Sequence, residues 1–313
     1  MSLAELMQQY VDMKGFDQLE GIAKTEIEGL YFYRSSQGNT RRPFVYQSGV
    51  IVLGQGKKNI YLGNQPVQYG PDDYLVVGVP MPLECEAIAV DGEPLLGLSI
   101  DIDPQILHRL VNKLETMNCY KPCADGSVRS GLKSVAMDDD MLGVCKRLMK
   151  ALCNPIELAV LGDSLMEELA FRALMSKEGH VLFDLARHEG HYARVAKALD
   201  YLHQNYTASV TVQDLAEQAN MSVSAFHQAF RSVTLASPIQ YIKKVRLDKA
   251  RELIQLEGVK VGEAARLVGY NSTSQFSREF KRHFNETPKA NLLANCKKRK
   301  SGFTNLQCFL TQV

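Results

Sequence analysis

The sequence predicts an α+β chain in two parts: an N-terminal β-barrel with dimerisation-type helices, followed by an all-α domain of two helix-turn-helix units joined by a central helix. Three observations lead to this expectation. A pattern near the C-terminal end occurs twice, the texture of the chain turns from strand-like to helical near residue 104, and charge is divided unequally between the halves. The 313 residues carry 36 Lys and Arg against 35 Asp and Glu, and their number permits about two domains. The near balance conceals an acidic stretch over 1–190, with 18 basic and 26 acidic residues, and a basic one over 191–300, with 18 basic and 9 acidic.

The opening MSLAELMQQYVDMKGFDQLEG has neither a basic start nor an apolar core, and no apolar run reaches the ~18 residues of a membrane span. A soluble, cytoplasmic chain without a membrane partner is expected. From about 24 to 103, segments such as IEGLYFYRSS, FVYQSGVIVLGQG and DDYLVVGVPMPLECEAIAV are broken by Gly, Asn, Pro and Asp roughly every ten residues, which suits a small barrel or sandwich. Tyr31, Tyr33, Arg34, Tyr46 and Glu84 are candidate effector contacts inside it, because a small-molecule pocket pairs apolar walls with a few polar groups. Their alternation equally fits ordinary strand packing.

Beyond Pro104, PQILHRLVNKLETM, DDDMLGVCKRLMKALC and IELAVLGDSLMEELAFRALMS have the acidic starts and apolar spacing of helices. In the last of these, Leu158, Leu161, Leu165, Leu169 and Leu174 sit near one face. That face serves either a homodimer or packing on the barrel. The changes of texture and charge place one domain at 1–178, a linker at 179–190, a second domain at 191–300 and a tail at 301–313.

None of the seven histidines precedes residue 108, so the barrel lacks the imidazoles that iron, zinc or copper sites favour. No metal, cofactor or catalytic residue is expected. A metal-dependent barrel enzyme with an accessory nucleic-acid-binding region is the alternative, and a co-regulator without an effector is a third reading. The seven cysteines are odd in number and consistent with a reducing compartment. Cys119 and Cys123, in CYKPC, are separated by three residues and fit neither a CxxC motif nor a paired zinc-ligand set.

The repeated pattern is DLAEQANMSVSAFHQAFR (214–231) and EAARLVGYNSTSQFSREFK (263–281). Leu215, Ala216, Ala219 and Met221 match Ala264, Ala265, Val268 and Tyr270 at an offset of 49. Ser222, Ser224, Phe226 and Phe230 match Ser272, Ser274, Phe276 and Phe280 at 50, so the second turn holds one inserted residue. Small residues let one helix sit close on the next, the corner residue plugs the turn, and the Phe pair anchors the second helix. At 100° per residue that helix exposes Ser224, Gln228 and Arg231 with His227 on the flank, and in the second copy Ser274, Arg278 and Lys281 with Gln275 near the start. Such groups suit base edges in a major groove. A solvated face would explain any one of them alone, and the repetition favours the groove.

Between the copies, SPIQYIKKVRLDKARELIQLE (237–257) starts with Ser and then Pro at the first helical position. It predicts a helix of about five turns, roughly 30 Å long, holding the two reading helices about one DNA turn, ~34 Å, apart. Arg231, Lys243 and Lys281 are expected at phosphates. The KKRK run at 297–300 is either a phosphate-contacting arm or a solvated tail.

Over about 191–291 these residues resemble the AraC-type transcriptional regulators. The resemblance is carried by HYARVAKALDYLHQNY, by SPIQYIKKVRLDKA with Pro238, Tyr241, Arg246, Leu247 and Ala250, and by GYNSTSQFSREFKRHF with Gly269, Tyr270, Phe276, Arg278 and Phe280. It implies base contacts from Ser224, His227 and Gln228 in one unit and from Ser274, Gln275 and Arg278 in the other. The chain departs from the family pattern at Leu235 and at Asn285 with Glu286, where a Gly is usual, and at Asn291 and Leu292 in place of an aromatic-Arg pair. The stretch QYGPDDYLVVGVPMPLECEA, with LLGLSIDIDPQILHRLV, resembles the cupin-like N-terminal domain of one subgroup. This implies effector binding inside the barrel and dimerisation through its helices. Promoter DNA, an unidentified small-molecule effector, RNA polymerase and a second copy of the chain are the partners expected of such a regulator.

Overall fold

A computed structural model of the chain describes residues 1–62, 65–118, 131–187 and 190–290. CYKPC, the KKRK run, Asn291, Leu292 and the 301–313 tail lie outside the described residues.

The opening segment, for which no element was expected, forms α1 (Leu3–Lys14). Its start is a capping box, in which the Ser2 hydroxyl accepts from the Glu5 amide and the Glu5 carboxylate accepts from the Ser2 amide. Ten strands follow the turn signals: β1 (Gly21–Lys24), β2 (Leu30–Ser35), β3 (Gly38–Tyr46), β4 (Gly49–Gln55), β5 (Lys57–Leu62), β6 (Gln65–Tyr69), β7 (Asp73–Val77), β8 (Met81–Ile88), β9 (Leu95–Ile100) and β10 (Leu132–Ala136). They pair antiparallel in two sheets, ordered β1-β2-β9-β4-β7-β10 and β3-β8-β5-β6.

The expected barrel is therefore open, a cupin-like sandwich of two facing sheets. Both edge strands of the smaller sheet carry a proline, Pro43 on β3 and Pro66 on β6, and β3 is bulged between Asn39 and Arg42. A missing N–H and a local kink both interrupt the ladder that closure would need.

The three predicted helices are α2 (Pro104–Thr116), α3 (Asp139–Leu152) and α4 (Pro155–Met175), each started by a side-chain cap, from Asp103, Asp138 and Asn154 respectively. With α1 they bury the outer face of the larger sheet in one apolar core. Residues expected as a linker include α5 (His180–Arg187), whose Val181, Leu182 and Phe183 are fully buried.

The C-terminal half is helical: α6 (Gly190–Asn205), α7 (Val212–Gln218), α8 (Val223–Thr234), α9 (Pro238–Glu252), α10 (Val261–Leu267) and α11 (Thr273–Phe284). The central helix is α-helical for 15 residues and ends in a π-helical turn, Leu253–Glu257. A second core fills the space between the sheets and continues without a break into α6, α7, α8 and α9. The second helix-turn-helix unit has a separate core around Phe276 and Phe280.

Candidate nucleic-acid interface and internal cleft

Both repeats fold by the same local rules. The Met221 amide donates to the Ala216 carbonyl at 2.9 Å, and the Tyr270 amide donates to the Ala265 carbonyl at 2.9 Å. Ser222 and Ser272 cap the helices that follow, accepting from the Ala225 and Gln275 amides. The Phe226–Phe230 rings lie 5.3 Å apart and the Phe276–Phe280 rings 5.5 Å apart, both tilted. The first helices begin 49 residues apart, at Val212 and Val261, and the second helices 50 apart, at Val223 and Thr273. The inserted residue thus sits in the second turn.

Each corner needs a left-handed backbone, supplied by Asn220 (φ 50°) and Gly269 (φ 84°). A Cβ at Gly269 would come within 2.6 Å of the Thr207 carbonyl oxygen, so glycine is required there on space as well as on φ. The Arg246 guanidinium ties this corner to the first unit. It donates to the Tyr206 and Ala208 carbonyls at 2.7 Å each and to the Gly269 carbonyl at 3.4 Å.

With the Phe anchors inward, Ser224, His227, Gln228 and Arg231 are exposed on α8 and line one open concavity with Ser232 and Ser237. On α11, Ser274, Gln275, Arg278 and Lys281 are exposed. Gln275 also donates to Glu279 at 3.2 Å. Lys243, expected at a phosphate, pairs with the same Glu279 at 3.1 Å, and Tyr270 donates to it at 2.8 Å. Burial alone would raise the Glu279 carboxyl, but these donors together hold it below its ordinary value. Glu279 thereby anchors α11 to α9 and to its own turn.

The other candidate site lies between the sheets. A narrow cleft is lined by Ile22, Tyr33, Phe44, Tyr46, Ile51, Leu53, Lys58, Gly97, Leu98 and Ser99. Its free volume is about 20 Å³, enough for a single water. Tyr33 and Tyr46 of the expected contacts face it. Tyr31 is instead turned to Asp101 at the sheet's end. Arg34 points to the opposite face of β2, where it donates to the Leu19 carbonyl at 3.1 Å, and Glu84 lies on the outer face of β8, paired with Arg41. Strand alternation is the reason: Arg34 is one residue out of phase with Tyr33, and Glu84 with the inward Leu83 and Cys85.

Sequence reasoning missed Lys58, which is 5% exposed. Its Nζ stands 3.8 Å from the Tyr33 ring centroid and 5.9 Å from that of Phe44. Burial lowers its pKa, opposed by the neighbouring Cys85 sulfur and reinforced by the Arg42 charge. The available signal was register, since Lys58 pairs with Ala87, which faces inward.

The sandwich and the C-terminal helices are joined directly. The Tyr241 hydroxyl of α9 donates to the Pro80 carbonyl at 2.6 Å and lies 2.9 Å from His203 Nε2, while Lys244 Nζ donates to the Pro82 carbonyl at 3.4 Å. The Gly131 amide donates to the Val233 carbonyl at 3.0 Å. A Cβ on Gly78 would meet the Tyr192 hydroxyl at 1.9 Å, so α6 approaches the sandwich where a side chain is absent.

The sequence profile of the AraC-type transcriptional regulator N-terminus matches residues 26–181, and a helix-turn-helix domain profile matches 215–292. The chain belongs to the AraC-type transcriptional regulators. Among AraC-type relatives, the regulator AlkR of Acinetobacter baylyi is 34% identical over 98 residues, 31% of this chain and 32% of AlkR. The transcriptional activator RhaS of Yersinia pestis is 29% identical over 96 residues, 31% of this chain and 35% of RhaS. These alignments span about a third of the relatives' length. Among solved structures, ToxT of Vibrio cholerae bound to a methylnaphthyl butenoic acid superposes with a TM-score of 0.56 at 12% identity, covering 84% of this chain and 97% of ToxT. ToxT bound to an unsaturated fatty acid gives 0.52 at 12%, covering 88% and 97%. At that identity the likeness is one of fold.

Proposed function

We propose that this AraC-type chain is a sequence-specific regulator of transcription whose two helix-turn-helix units read successive major grooves of promoter DNA. The observation that carries this is the pair of matched turns, each presenting an exposed polar helix face that ends in a basic residue. Ser224, His227 and Gln228 meet bases in one groove and Ser274, Gln275 and Arg278 in the next. Arg231 and Lys281 meet phosphates, and so does Lys243 once it leaves Glu279. The sandwich with its helices, 1–178, binds a small apolar effector in the cleft, as ToxT binds its acids. Residues 179–190 connect it to the DNA-binding domain at 191–300.

A cleft of only about 20 Å³ means that the effector must part the sheets. The movement reaches α9 through Pro80 and Pro82, which flank the start of β8. Leu165, Leu169 and Leu174 of the expected leucine face are buried in the core under the larger sheet, which leaves Ile156, Val160 and Leu161 of α4 exposed as a homodimer contact. The protein works in the cytoplasm, engages RNA polymerase, and performs no catalysis.

The test is binding to its promoter and to a scrambled duplex of equal length at rising salt. Affinity for both should fall steeply as phosphate contacts are screened, with preference for the promoter retained. Equal affinities at every salt concentration would sink the proposal.

A further inference from the structure

The cleft contains a feature that an apolar pocket does not need. Lys58 projects its ammonium between the sheets, and among the described residues no carboxylate stands within ion-pair distance of it. Its charged neighbour on the same inward face is Arg42, which sits opposite Cys85 on β3 and forms no ion pair among the described residues. A second cation there worsens the balance. The carboxylates of the smaller sheet lie on its other face, where Glu84 pairs with Arg41 and Glu86 accepts from Asn59 and Tyr61.

A buried ammonium without an anion costs several kcal/mol, and the face of Tyr33 compensates only part of that. The rest of the lining is apolar or neutral, with Ile22, Ile51, Leu53 and Leu98 on the opposite sheet.

We infer that the effector is an apolar molecule bearing one acid group, whose carboxylate pairs with the Lys58 ammonium beside the Tyr33 ring while its apolar body lies against the larger sheet. The inference rests on the reading of the cleft as the effector site and adds the chemical class of the ligand. Arg42, exposed at the end of the same face, steers the acid group inward.

The test is calorimetric titration of the full-length protein with oleic acid and with oleyl alcohol, which share a chain and differ in the acid group. Wild-type protein should bind the acid at least tenfold more tightly than the alcohol, and Lys58→Met should bring the two within about threefold. The unliganded Lys58→Met protein should melt no lower than wild type, because an uncompensated buried amine is replaced by an apolar side chain of similar length. That separates loss of a ligand group from loss of folding. Lys58→Arg, which keeps the charge, should retain a preference for the acid.

Equal binding of acid and alcohol by wild type, a preference that survives in Lys58→Met, or binding of neither probe overturns the inference. The reading beneath it fails separately. Alcohol binding that changes affinity for promoter DNA would leave the cleft as the effector site, whereas a ligand located outside the cleft would remove both.

Discussion

Leu235 shows how a single position records what the fold requires. It occupies the left-handed cap after α8 with φ 61°, and Asn285 does the same after α11 with φ 56°. These are the positions where the family pattern usually has glycine, so the departure is in residue type while the backbone stays in the conformation glycine favours. A left-handed non-glycine residue costs ~1–2 kcal/mol, partly offset by the ~0.5–1 kcal/mol of chain freedom that glycine loses on folding. Leu235→Gly should therefore stabilise the protein by about 0.5–1 kcal/mol, seen as a higher thermal midpoint; a lower midpoint would contradict the account. Lys58 is the opposite case, a residue whose position was hidden. Lysine is almost always outside, and only its pairing with Ala87 reveals that it faces in.

At the scale of elements, the helix-turn-helix units were legible because their determinants are local and repeated. Ala216 and Ala265, the Phe pairs and the cap serines all act within about twenty residues, so their spacing could be read directly. The three helices after Pro104 were legible for the same reason, since each begins with a cap and continues with apolar spacing. The sandwich was legible only as a set of strands. Whether it closes depends on pairing between residues far apart in the chain, and the edge prolines Pro43 and Pro66 mark the opening only once the strand order is known. The helix α5 was overlooked because eight residues between Gly179 and Gly190 resemble a linker, although Val181, Leu182, Phe183 and Ala186 form a buried stripe. The π-helical turn after α9 had no local signal that we can identify.

In the whole molecule, the core inside the sandwich is continuous with the first helix-turn-helix unit, while the second unit has a core of its own. This organisation packs the first unit on the interior core of the sandwich. Its polar junction is Tyr241, whose one proton goes to the Pro80 carbonyl, so the His203 Nε2–H donates to the Tyr241 oxygen. Burial, reinforced by the Lys249 charge, lowers His203 to about 4. The folded value lies below the unfolded value of about 6.5, so the unfolded chain binds the proton more readily between those limits. Stability from this neutral histidine is complete above about pH 6.5 and is lost as pH falls toward 4, by on the order of 2–3 kcal/mol. Melting midpoints of wild type and His203→Gln across that window should diverge, with the wild type falling more steeply; parallel curves would contradict the junction.

The central claim, that one chain reads two grooves with two matched helices, is tested most directly by selecting bound sequences from a pool of random duplexes. Wild-type protein should enrich two blocks whose centres lie about one helical turn, ~10 base pairs, apart. Gln228→Ala should erase preference in one block and Arg278→Ala in the other, each at a cost of about 1–3 kcal/mol for a bidentate contact. A single enriched block, no enrichment, or variants that weaken both blocks equally would contradict it.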